Sequence, residues 1–218
     1  MLISKNTTMK KILNSIIISV IAAGLFIACD KEKDFDIPEI KIAYLFENFE
    51  ATTSGSGSTE IPINIKGWSN YNLSTTGTRL WNSRLADSNK YAEFSSYYSA
   101  ANTTDEAWLI IPSTKLDSEK ETFFSFDTKV RFWTGSNLTV LISENYDGTK
   151  TGISTATWTP LNVKLPTSTE VDKFISSGIL NLSAYKGKNI QIAFKYAGNK
   201  TNGLTTTYQL DNIKLFMN

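Results

Sequence analysis

Phe124-Ser125-Phe126-Asp127-Thr128-Lys129-Val130-Arg131-Phe132 is the stretch on which the fold turns. Phe124, Phe126, Val130 and Phe132 alternate with Ser125, Asp127, Lys129 and Arg131, so an extended chain has one apolar and one polar face. A period of two with one apolar face predicts a half-buried antiparallel strand. The same alternation recurs outward in both directions. It is carried by Leu138, Val140 and Ile142; by Leu161, Val163 and Leu165; and by Ile190, Ile192, Phe194 and Tyr196. Further strands are predicted over 40–49, 79–84, 91–96, 107–111 and 209–216. Turn signals separate them, among them Ser54-Gly55-Ser56-Gly57-Ser58, Asn202-Gly203 and a hairpin turn at Asp147-Gly148. No long helical period is present, and 171–176 is the one place for a short helical turn. Many strands, polar connections and a length suited to one core indicate an all-β chain, a β-sandwich or jelly roll over residues 41–218.

The first forty residues are read differently. Lys10 and Lys11 precede an apolar run over 12–27 that is too short for the roughly 20 residues of a spanning helix. It ends at Leu25-Phe26-Ile27-Ala28-Cys29. This order is that of a secretory signal over 1–28, with Met9 as its expected start. Cys29, the single cysteine of the chain, sits where the cut falls. The segment resembles the lipobox of bacterial lipoproteins, with Phe26 standing where leucine is usual. The resemblance implies a lipidated Cys29 and a membrane anchor. Residues 29–40, with Asp30-Lys31-Glu32-Lys33-Asp34, read as a solvated tether. Acids directly after the cysteine resemble the signal that exports lipoproteins to the outer face of the outer membrane.

Composition limits the chemistry. Removing the signal takes Lys5, Lys10 and Lys11 from 22 basic residues, leaving 19 against 21 acidic ones, a net charge of −2. That balance argues against a nucleic-acid partner. The chain has no histidine, which removes the commonest general base and transition-metal ligand. With Cys29 committed to lipid, thiol chemistry and cysteine–histidine zinc sites go too.

A set of phrases carries a family resemblance: Phe46-Glu47-Asn48-Phe49-Glu50; Gly67-Trp68; Asp105-Glu106-Ala107-Trp108-Leu109-Ile110-Ile111-Pro112; Ser143-Glu144-Asn145-Tyr146-Asp147-Gly148; Leu182-Ser183-Ala184-Tyr185-Lys186-Gly187; Ile192-Ala193-Phe194-Lys195-Tyr196; and Gln209-Leu210-Asp211-Asn212-Ile213. In this order they resemble the choice-of-anchor J domain, which is similar to cleaved-adhesin domains and, more distantly, to MAM domains. The resemblance covers 44–215. It implies a single jelly-roll β-sandwich, an adhesive or accessory role and a structural calcium. On the matching positions the calcium ligands are Glu50, Asp105 and Asp211, with Glu47 as a fourth. The other reading of these acids is local hydrogen bonding to loop amides. Apolar parity slips at Asp211-Asn212, which predicts a β-bulge that re-aims the aspartate.

For a ligand, flat aromatic faces suit the C–H faces of sugars, although most aromatic residues are core. Trp108, on an apolar strand, reads as core. Trp81 and Trp133, set among polar residues, and the pair Tyr97-Tyr98 are the candidate platforms. The expected function is non-catalytic capture of a glycan or another extracellular partner. The alternatives are a structural subunit of a fimbria or transporter complex, and a polysaccharide lyase or hydrolase. The paired carboxylates of a glycosidase are not found within one strand, and a serine–histidine–aspartate triad is impossible.

Overall fold

The structure, a computed structural model, describes residues 42–217; the expected signal, Cys29 and the tether lie outside the described residues. Thirteen strands occur in the order β1 (Ile42–Glu47), β2 (Ser69–Asn72), β3 (Asn82–Ala86), β4 (Asn89–Phe94), β5 (Thr104–Ile110), β6 (Thr114–Lys115), β7 (Thr122–Arg131), β8 (Leu138–Ser143), β9 (Thr159–Pro160), β10 (Ile175–Ser176), β11 (Leu180–Asn181), β12 (Asn189–Asn199) and β13 (Thr207–Met217). One helical turn, α1 (Gly152–Thr155), lies between β8 and β9. Strand pairing is antiparallel throughout, in two sheets. The first runs β10-β7-β13-β4-β3, with β1 added to β13 and β11 to β7; the second runs β2-β5-β12-β8-β9, with β6 added to β12. This is the all-β jelly-roll sandwich that the alternation predicts.

Strand β7 alternates buried and half-buried residues without a break from Thr122 to Arg131. Its Phe124, Phe126 and Val130 meet Leu109, Ile192 and Phe194 of the other sheet in the core between the layers. Each large side chain so buried contributes about 1.5–3 kcal/mol. A smaller cluster on the outer face of the second sheet gathers Trp108, Ile110, Leu141 and Ile153, with Trp158 over Trp108 at 5.1 Å between ring centres. Trp108 is therefore core, as expected, but of this outer cluster.

Three local expectations are corrected. Leu161, Val163 and Leu165 form no strand; they run extended and half-buried against the core, with Leu161 N bonded to Val140 O and Lys164 N to Ser177 O. Asp147-Gly148 is no tight hairpin but opens the long β8–β9 connection, where Asp147 Oδ1 accepts from Thr149 N at 2.8 Å. The segment 171–176 ends in strand β10. The bulge at Asp211-Asn212 is present: pairing with β7 shifts register between Asp211 and Lys214, and Asn212 has φ 49°.

Candidate functional site

Between β4 and β5 the chain makes a 3-10 turn, Ser96–Tyr98, that lifts Tyr97 and Tyr98 into solvent at 59% and 61% exposure. Their rings meet edge to face at 5.2 Å. Phe132, just beyond β7, is 67% exposed. These three rings, with Thr134, Thr205 and Thr207, line a groove of about 470 Å³ at one end of the sandwich. Each ring has a cation beside it: Arg79 at 5.0 Å from the Tyr98 centroid, Arg131 at 5.1 Å from Phe132 and Lys200 at 5.5 Å from Tyr97.

The tyrosine turn is held from three sides. Ser95 Oγ accepts from Tyr97 N at 3.2 Å and donates to Thr205 O at 2.8 Å. From β12, the Tyr196 hydroxyl accepts from Ser96 N at 3.2 Å. Burial pushes that phenol up to about 12, so it remains a neutral strut. From β5, Asp105 accepts from Ser99 Oγ at 2.6 Å and from Asn72 Nδ2 at 2.9 Å. Gly198 permits the close approach beneath: a Cβ there would lie 2.6 Å from Leu204 O and 2.7 Å from Ser96 Oγ. On the opposite wall, Thr206 Oγ1 accepts from Thr134 N at 2.8 Å and Gly135 N at 3.1 Å, while Thr134 Oγ1 accepts from Thr205 N at 2.8 Å.

Of the expected platforms, Tyr97 and Tyr98 stand in the groove. Trp81 does not: it is fully buried, its indole donates to Ala107 O at 3.3 Å and its ring lies 5.7 Å from Phe94. Its polar neighbour Asn82 is buried as well, so polar flanks did not signal exposure. Trp133 is half-buried and packs against the core. The reason is Phe132, whose φ of 50° reverses the facing of the chain as β7 ends. Phe132, expected inward, turns out; Trp133 turns in. The sign of this in the sequence is the adjacent pair Phe132-Trp133 ahead of Gly135, since two neighbouring residues of a strand cannot both face the core.

The four acids are not assembled as one metal site. Asp105 is buried in the second sheet and spends both oxygens on Asn72 and Ser99. Asp211, on the bulge of the first sheet, accepts from Asn89 Nδ2 at 3.0 Å and Asn212 N at 2.7 Å. Burial, with Asp127 and Glu50 nearby, holds its carboxyl above the usual range. Glu47 accepts from Phe49 N, and burial, with the charge of Asp211, raises its carboxyl too. Glu50 accepts from Lys90 N at 2.8 Å, and the Lys90 ammonium donates to Glu50 O and Thr52 O, both at 2.8 Å. Among the described residues no three acidic, histidine or cysteine side chains form a group that could hold a metal. Each of the four acids takes part in local hydrogen bonds in the structure.

The groove is lined by rings and hydroxyls with no carboxylate among its lining residues, and the three cations stand beside the rings. Such a surface can hold and orient a ligand.

The chain is similar to the K1 cleaved adhesin domain of Lys-gingipain from Porphyromonas gingivalis W83, at 16% identity over 80% of this chain and 98% of that one, with a TM-score of 0.49. It is similar to the K3 domain of the same protein at 15% identity over 80% and 99%, with a TM-score of 0.47. It is also similar to the CBM22-1 xylan-binding domain of Xyn10C from Paenibacillus barcinonensis, at 12% identity over 81% and 95%, with a TM-score of 0.45. No curated protein matches the chain. Residues 91–217, more than half of the chain, match the model of the family described as Domain of unknown function (DUF5017), and the chain belongs to that family.

Proposed function

We propose that this protein is a non-catalytic, glycan-binding domain displayed at the cell surface, with the Tyr97–Tyr98–Phe132 groove as its binding site. The observation that carries this reading is the convergence of three largely exposed aromatic rings on one groove walled by threonine hydroxyls. Exposed rings gathered into one patch mark an interaction surface, and ring faces pack on sugar C–H groups while hydroxyls orient the sugar. The absence of histidine from the chain and of carboxylates from the groove lining supports binding over cleavage. With this goes the proposal, from the N-terminal sequence, that Cys29 is lipidated and holds the domain at the outer membrane, facing outward.

The test is a glycan array probed with the purified full-length protein and with Tyr97→Ala and Phe132→Ala. A defined glycan class is expected to bind, and each variant to lose about tenfold in affinity with Tm unchanged, the loss of one stacking ring. An array with no specific signal would sink the reading. Variants that bind like the parent would move the site elsewhere.

A further inference from the structure

The cations around the groove bear on which glycans it takes. All three rings have one within 5.5 Å: Arg79, Arg131 and Lys200. Lys200 makes no ion pair with any acid among the described residues. Arg131 pairs with Asp172 at 2.9 Å, but both side chains are open to solvent, at 43% and 64% exposure. Exposed pairs of this kind contribute about 0–1 kcal/mol, so Arg131 is readily given up to a ligand. Arg79 is different. Its side chain is 11% exposed, it is paired with Glu60, and its Nε is buried with no acceptor. Arg79 also lines a polar recess of about 310 Å³ that shares Tyr98 with the groove. The acids near these three cations are the exposed Glu60 and Asp172 and the buried Asp105, whose oxygens already accept from Ser99 and Asn72.

Resting on the glycan reading above, we propose that the groove selects acidic glycans. A sugar ring lies on Tyr97, Tyr98 and Phe132, and its carboxylate or sulfate is held by Lys200 and Arg131, with Arg79 at the mouth of the recess. Uronates and sulfated sugars share this chemistry, because guanidinium and ammonium groups bond both as charge-assisted donors.

Titration of the full-length protein with oligogalacturonate and with its fully methyl-esterified form tests the charge on an otherwise identical backbone. Dextran sulfate and dextran test sulfate in the same way. At least one charged member is expected to bind about tenfold more tightly than its neutral counterpart, and to weaken as salt rises. Lys200→Ala and Arg131→Gln, both at exposed positions, are expected to narrow that preference severalfold, while Lys150→Ala on the β8–β9 connection leaves it unchanged. Binding by dextran sulfate alone would assign sulfate as the anion, and binding by oligogalacturonate alone the carboxylate. Equal binding of charged and neutral members would overturn the acidic preference and leave the glycan reading standing. An equal loss with Lys150→Ala would overturn the assignment to this groove. Failure of these four and of every glycan on the array would remove both.

Discussion

At Phe132 the backbone turns left-handed, with φ 50°. For a bulky residue such a conformation costs on the order of 1–3 kcal/mol and persists only where its surroundings enforce it. Here Thr206 fixes the chain at once by accepting from Thr134 and Gly135. The result is an exposed phenylalanine beside an inward tryptophan, the reverse of what alternation alone predicts. Individual charges are decided at the same scale. Glu47 is half-buried and Asp211 buried, and burial is the first cause that raises both carboxyls; the charge of Asp211 adds to it at Glu47, and those of Asp127 and Glu50 at Asp211. A raised carboxyl pKa in the fold means that the folded state holds its proton more tightly than the unfolded chain does. Stability is therefore fullest below the ordinary carboxylate value of about 4, and is lost as pH rises from there through the raised values. Glu47→Gln keeps an oxygen to accept from Phe49 N and removes the charge. It is expected to have a higher Tm than the parent at neutral pH, with the difference shrinking to nothing near pH 4. Parallel Tm–pH curves for the two proteins would refute this.

At the scale of elements, β13 is the organising strand. It pairs with β7 along one edge; along the other it pairs with β4 through Leu210 and with β1 from Ile213. The bulge at Asp211-Asn212 falls at this change of partner. The parity slip made the bulge legible in the sequence, because a bulge is a local departure from a period of two. The tyrosine turn was less legible. Ser96–Tyr98 is short, and its supports come from β5, from β12 and from the β12–β13 connection. Asp105, a calcium ligand by the family resemblance, accepts from Ser99 at the end of this turn and so positions it. Asp105→Ala strands two buried partners, Asn72 and Ser99, at about 1–3 kcal/mol each. It is expected to lower Tm and to weaken glycan binding together, whereas Asp105→Asn, which still bonds to both, retains most binding. A lowered Tm with glycan affinity untouched would show that Asp105 supports the core alone.

For the whole molecule, two sheets bury one aromatic-rich core and leave a groove at one end, formed by the β4–β5 turn, the β7–β8 turn and the β12–β13 connection. With the proposed anchor and outward display, a groove at the rim of the sandwich would suit large ligands outside the cell. The proposed anchor is tested by Cys29→Ser: the parent is expected in the membrane fraction with acyl label, and the variant in the soluble fraction without it. Equal partition of both would reject lipidation at Cys29. The sequence by itself determined the architecture, the faces of most strands and the bulge. These follow from local periodicity and local breaks in it. Only the tertiary structure decided that Trp81 and Trp133 are core, that Asp105 serves a turn while Glu47, Glu50 and Asp211 lie apart from it, and that Phe132 completes the groove. Those outcomes depend on a single backbone reversal, whose one local sign is the adjacent Phe132-Trp133, and on partners tens of residues away in the chain, which no local pattern encodes.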